Sequence, residues 1–287
     1  MFDDAWFGNP AFQSLALPLA VELVASAVLR LAGGRGAGSA LAGAGIGFGF
    51  LAGALAVMGM PLWPPLAAMH KLPVVAVAGI AAGAALDLGR AGRNTRIFAT
   101  LATTLLAAGW IGWPALTGGD GAAVLRLAVL WILSAGVLVS LDRPAGQAAG
   151  PSAMLCAAAL GVSILVVLSG STGAAQLAAA LAAASLGFFA LAWPPTGLAF
   201  AASGQLGAGL PLVALVAGLM HSGDVELSAL PMLLPVFLAG RLSGALLPSR
   251  AGLEGAVRPI LTFAIALVPV LAAAGVHRIA REPLFWF

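Results

Sequence analysis

Ser152 to Trp193 read SAMLCAAALGVSILVVLSGSTGAAQLAAALAAASLGFFALAW, without one Asp, Glu, Lys or Arg. A helix that crosses a bilayer needs roughly 20 apolar residues. This stretch therefore holds two such helices, near 152–170 and 173–193, separated by a short Gly-Ser turn. The same ruler moved outward marks further spans near 198–220, 231–247 and 258–276 on one side. On the other it marks 122–141, 97–116, 73–89, 38–60 and 14–32. Gly, Pro and charge separate them: Gly33-Gly34-Arg35-Gly36, Pro61 to Pro65, Arg90 to Arg96, Thr117 to Gly121, Asp142 to Pro151, Trp193-Pro194-Pro195, His221 to Glu226, and Pro248 to Arg258. The pattern predicts an all-α, polytopic integral membrane protein of about ten transmembrane helices. No linker is long enough to separate soluble domains, so residues 1–287 are expected to form one transmembrane domain.

Composition agrees. Of 287 residues, 61% are hydrophobic and 8% charged, and the mean hydropathy is +1.07. A soluble domain carries about a quarter charged residues, so a soluble globular protein, a disordered chain and a nucleic-acid binder are excluded. The net charge of +3 comes from 13 basic and 10 acidic side chains and forms no basic patch. The single cysteine, Cys156, excludes a disulfide framework and a cysteine metal cluster. Met1 to Pro10 is acidic and lacks Lys and Arg, so no cleaved secretory signal is expected.

Basic residues orient the spans. If the loop with Arg90, Arg93 and Arg96 is cytoplasmic, alternation also places Arg30, Arg35, Arg143, Arg250 and Arg258 inside. Lys71, Arg278 and Arg281 fall outside, and Arg126 and Arg241 lie within spans. Asp3, Asp4, Asp120, Asp224, Glu226 and Glu282 fall outside, whereas Asp87, Asp142 and Glu254 fall inside. This register puts both termini on the outer, periplasmic side of a bacterial inner membrane.

Several segments on the cytoplasmic side carry a resemblance. Gly187-Phe-Phe-Ala-Leu-Ala-Trp193-Pro194-Pro195 is followed by Gly204-Gln-Leu-Gly-Ala-Gly209. Trp131 leads to Leu141-Asp142-Arg-Pro-Ala-Gly146-Gln-Ala-Ala-Gly150. Gly83-Ala-Ala-Leu86-Asp87-Leu88 has Arg96 nine residues after the aspartate, and Gly43-Ala-Gly-Ile-Gly-Phe-Gly-Phe-Leu51 lies in the second span. In order and spacing, from about residue 30 to 250, these resemble the polyprenyl-phosphate glycosyl-1-phosphate transferases (glycosyltransferase family 4). That family includes the phospho-N-acetylmuramoyl-pentapeptide translocase and the GlcNAc-1-phosphate transferases. The resemblance implies ten spans with both termini outside. It also implies Mg²⁺-dependent transfer of a sugar phosphate from a UDP-sugar to polyprenyl phosphate.

The departures from the family pattern fall on its chemistry. Leu86 holds the first place of the aspartate pair and Asp87 the second. Gly136 and Val139 stand where the family has two asparagines, and Ala145 replaces the second aspartate after Asp142. Ala201-Ala202 replaces the Gly-Asp whose carboxylate holds Mg²⁺ in the family, and a methyl group binds no cation. The loop from Pro248 to Arg258 lacks the family's histidines, and His70, His221 and His277 all fall outside. Asp87 and Asp142 are left as vestigial catalytic candidates. Arg35, Arg96, Arg250 and Gly204 are the candidate substrate-binding residues, and no metal ligands or cofactor are expected.

Each candidate has a plainer alternative. Asp87 and Asp142 suit either a residual site or exposed pairing with nearby Arg90 and Arg143. Glu22, in the first span, is either functional or a protonated acid bonded to a neighbouring helix. Arg126 suits snorkelling outward, and Arg241 suits snorkelling inward or meeting a lipid phosphate. The rim of Arg35, Arg93, Arg96, Arg250 and Arg258 suits phosphate or anionic headgroups. Gly43, Gly45, Gly47, Gly49 and Gly53 suit close helix packing. His221, Asp224 and Glu226 sit on a loop too short for a convincing metal site, and the Trp residues near span ends suit interfacial anchoring.

Three functions remain in view. The first is a degenerate, non-catalytic homologue with a binding or accessory role in envelope glycan biosynthesis, bound to the bilayer, to polyprenyl phosphate or to another membrane protein of the pathway. The second is an active divergent transferase that uses Mg²⁺. The third is a five-plus-five helix transporter, suggested by Trp63-Pro64-Pro65 and Trp193-Pro194-Pro195 at matching places in two halves.

Overall fold

A computed structural model describes residues 8–61, 63–65, 67–142, 147–222, 225–247 and 254–281. Arg143, Ala145, Gly146, Asp224, Arg250 and Glu282, with Asp3, Asp4, Trp6 and Trp286, lie outside the described residues. Helix accounts for the architecture, and the described residues contain no β-strand. The helices are α1 (Phe12–Leu41, interrupted by a π-helical turn at Gly34–Gly38, where Gly34 has φ 64°), α2 (Ala44–Met58), α3 (Met69–Leu88), α4 (Arg93–Ile111) and α5 (Gly121–Leu141). They continue as α6 (Ala149–Leu168), α7 (Thr172–Ala192), α8 (Ala202–Ser222), α9 (Pro231–Leu246) and α10 (Glu254–Arg281).

Among the described residues, seven helices are long and apolar enough to cross a membrane: α1, α3, α5, α6, α7, α8 and α10. This establishes an all-α, multi-pass membrane protein. The other three depart from a regular span for visible reasons. Helix α2 has 15 residues and follows a break at Ala42-Gly43. Helix α4 is the more polar, with Arg93, Arg96 and several threonines, and it stops at Gly112 before a short turn at Trp113–Thr117. The span expected to reach residue 116 is therefore broken. Helix α9 begins as 3₁₀ turns over Pro231–Leu238, a stretch that contains Pro231 and Pro235, and becomes α-helical over Ala239–Leu246.

The span expected from residue 198 starts late, at Ala202, after an extended approach from Thr196. That offset matters because it aims the first amides of α8 at the end of α3. Helix α8 is the centre of the bundle: it is almost wholly buried, whereas most of α1 and α5 lies on the outside. Alanine and glycine allow the close approach. A Cβ on Gly83 would lie 2.5 Å from the Ala202 carbonyl oxygen, and one on Gly79 2.5 Å from that of Leu206. One on Gly43 would lie 2.7 Å from the Gly204 Cα. The glycine series in α2 works the same way, with Gly47 against Ile80 and Gly53 against Pro18. Lipid gives helices no hydrophobic reason to associate, so contact at this range is what holds such a bundle.

Candidate functional site

Asp87 sits in the last turn of α3, and its side chain is 1% exposed. Its carboxylate faces the start of α8, where the first amides have no partner within their own helix. Oδ1 accepts the Ala202 N–H at 3.2 Å, and Oδ2 accepts the Ser203 N–H at 2.8 Å. Asp87 thus caps α8 from another helix, and its negative charge faces the positive end of the helix dipole. Gly83, one turn earlier, supplies the clearance that lets α3 approach.

Arg96 reaches the same place from α4. Its Nη2 lies 3.0 Å from Asp87 Oδ1, its Nη1 lies 3.5 Å from Asp142 Oδ2, and its Nε donates to the Ala91 carbonyl at 3.1 Å. Exposure runs outward from 1% at Asp87 to 22% at Arg96 and 38% at Asp142. The inner pair is therefore the strong one, and the outer pair is wetter and weaker. Local pairing with Arg90 does not occur at Asp87, which turns inward instead. Both candidate carboxylates meet on one arginine.

Thr100 and Thr104 follow Arg96 on the same face of α4. Gln205, one turn into α8, donates from Nε2 to Thr100 Oγ1 at 3.2 Å and to the Leu138 carbonyl at 2.8 Å. Ser203 Oγ donates to the Ala40 carbonyl at 2.5 Å, and Ser39 Oγ to that of Gly197 at 2.6 Å. Of these polar residues, only Gln205 lies in a stretch that the sequence motifs took in, Gly204 to Gly209. The spacing of Arg96, Thr100 and Thr104 in an apolar helix was the available signal.

The remaining candidates are scattered. Arg35 is exposed on the turn Gly34–Gly38, at the same end of the bundle as Ser39. Gly204 is buried against Gly43 and Phe200. Arg126 donates to the Ala122 carbonyl at 3.2 Å and lies 3.6 Å from Asp120, at the opposite end from Arg96.

Arg241 and Arg258 line a cleft of about 920 Å³ between α5, α6, α9 and α10, together with Ser140, Gln147 and Thr262. The rest of its wall is apolar. A second, apolar trough of about 390 Å³ shares Leu133, Val137, Pro231, Leu234 and Phe237 with it, so the two run together along the bundle. The polar end is anchored by Trp193 Nε1, which donates to the Ala256 carbonyl at 2.7 Å, and by Ser243 and Thr262, whose hydroxyls are 2.7 Å apart.

A resident Mg²⁺ does not fit the cluster as it stands. The guanidinium of Arg96 occupies the ground between the two carboxylates, and Asp87 has both oxygens engaged by protein donors. Among the described residues, no group of three His, Cys, Asp or Glu is arranged to hold a metal. Cation chemistry at this end would first require Arg96 to leave. No family model matches the chain, and no curated protein matches it either.

Proposed function

We propose that the chain is a non-catalytic relative of the polyprenyl-phosphate glycosyl-1-phosphate transferases, with a binding or accessory role in envelope glycan biosynthesis. In this proposal all ten helices cross the bacterial inner membrane, both termini lie outside, and the Asp87 cluster faces the cytoplasm. The observation that carries the proposal is the engagement of Asp87: two backbone amides and Arg96 take the carboxylate that a transferase would use. The cleft lined by Arg241 and Arg258 supports the binding role, because arginine forks match phosphate and the apolar wall suits a polyprenyl tail.

The test is the purified protein with Mg²⁺, UDP-sugars and polyprenyl phosphate. The expected result is no release of UMP, with retention of polyprenyl phosphate that falls in R241A/R258A. Mg²⁺-dependent UMP release that disappears in D87N would overturn the proposal.

One observation favours the divergent transferase as a second reading. Asp87 and Asp142 come to the same guanidinium, so the two candidate carboxylates are neighbours. The UMP assay separates the two proposals.

A further inference from the structure

Glu22 lies in the middle of α1 and is fully buried. The space for its carboxyl is cut by glycines of two other helices. A Cβ on Gly187 of α7 would collide with Glu22 Oε2, and one on Gly49 of α2 would lie 3.0 Å from Glu22 Cβ. Asp87, the other buried acid among the described residues, has an arginine. Glu22 has no such partner. Helices α2 and α7, which pack against it, carry no titratable side chain at all. The bases of α1 itself are Arg30, about 12 Å along the helix, and Arg35. Arg30 turns away to donate to the Gly34 carbonyl at 2.7 Å.

The hydrogen bonds decide the form of the carboxyl. Ser26 Oγ lies 2.6 Å from Glu22 Oε1 and 2.7 Å from the Ala42 carbonyl oxygen. A serine hydroxyl has one proton to give, and both neighbours are acceptors when Glu22 is ionised. One contact would then join two oxygens with no proton between them, and Oε2 would be a buried anionic atom with no partner. A neutral glutamic acid removes both faults. Its O–H donates to Ser26 Oγ, and Ser26 donates to Ala42. An uncompensated buried carboxylate costs several kcal/mol, far more than one carbonyl oxygen left without a donor.

We infer that Glu22 is a proton-binding site inside the helical bundle, held as the neutral acid and linked through Ser26 to the helix break at Ala42-Gly43. The inference does not rest on the transferase-like reading. The proton has a structural consequence, because it frees the Ser26 hydroxyl to brace Ala42. The same break is held from the other side by Ser203 of α8, through the Ala40 carbonyl.

Infrared difference spectra of the wild-type chain and E22Q, in lipid nanodiscs at neutral pH, test it. The expected result is a protonated-carboxyl C=O stretch that is lost in E22Q, kept in D87N and shifted in S26A. Gln is isosteric and donates to Ser26 as the acid does, so E22Q is expected to keep wild-type helicity and elution volume. If E22Q misfolds, S26A carries the test: an unshifted C=O band, or none in the wild type, overturns the inference. Loss of ionised-carboxylate bands in E22Q, in place of the C=O stretch, also overturns it. Disappearance of the C=O band when sodium replaces choline in the buffer would assign the site to a metal cation and overturn the proton.

Discussion

The carboxylate of Asp87 on α3 accepts the backbone N–H of Ser203 at the start of α8, 2.8 Å away. Residue 202, which under the proposed kinship stands at the place of a metal-binding side chain, takes part through its amide. Residues 87 and 202 meet as a carboxylate and the helix end it caps.

Removing that carboxylate is expected to destabilise the bundle. Asp87→Ala strips the cap from α8 and leaves Arg96 without its inner partner, at a cost of about 3 kcal/mol. Thermal unfolding in detergent checks this. Asp142→Ala, at the wetter end of the same arginine, is expected to cost less than about 1 kcal/mol.

Taking away Arg96 is expected to change what the cluster binds. Arg96→Gln removes the guanidinium that stands between Asp87 and Asp142. Calorimetric titration with Mg²⁺ or Mn²⁺ should show binding in this variant and none in the wild type. The double variant with Asp142→Ala should lose it again.

Two glycine substitutions should have opposite effects. In Gly83→Ala the new methyl meets the Ala202 and Ser203 backbone at 2.5 Å, where no side chain can yield. It is expected to cost about 2 kcal/mol or more and to lower the yield of folded protein. Gly109 has nothing within 4 Å of its absent Cβ. Gly109→Ala is expected to be neutral or to stabilise by roughly 0.5–1 kcal/mol through helix propensity.

Sidedness can be read with thiols. The native Cys156 is buried at 4% exposure, so an introduced cysteine is the one expected to react. In intact cells an impermeant maleimide should label Gly119→Cys and spare Arg93→Cys. The reverse pattern would invert the proposed orientation.

The helices were legible in the sequence because apolar runs of bilayer length are broken by Gly, Pro and charge. Their irregularities were less so. Gly112 stops α4 although Trp113 to Leu116 remain apolar, and the first half of α9 is 3₁₀ helix. Asp87, Arg96 and Asp142 were marked by resemblance to a family's motifs, but their mutual pairing was not. Spacing along a chain does not tell that Asp142 meets Arg96 on another helix. The amides of Ala202 and Ser203 left no trace, since any residue but proline has one. The cleft was invisible for a similar reason: Arg241 and Arg258 lie on different helices and come together only through packing.

The cap on α8 has a consequence for competition. A helix N-terminus with free amides is a natural seat for a phosphate group. Here that seat is already taken by a carboxylate tethered to the protein itself. A tethered group acts at an effective concentration that reaches about the millimolar range even with flexible linkers, and α3 is rigid. A diffusing phosphate has to displace a neighbour that never leaves, so this end of α8 is closed to nucleotides and lipid phosphates alike while Asp87 keeps its place.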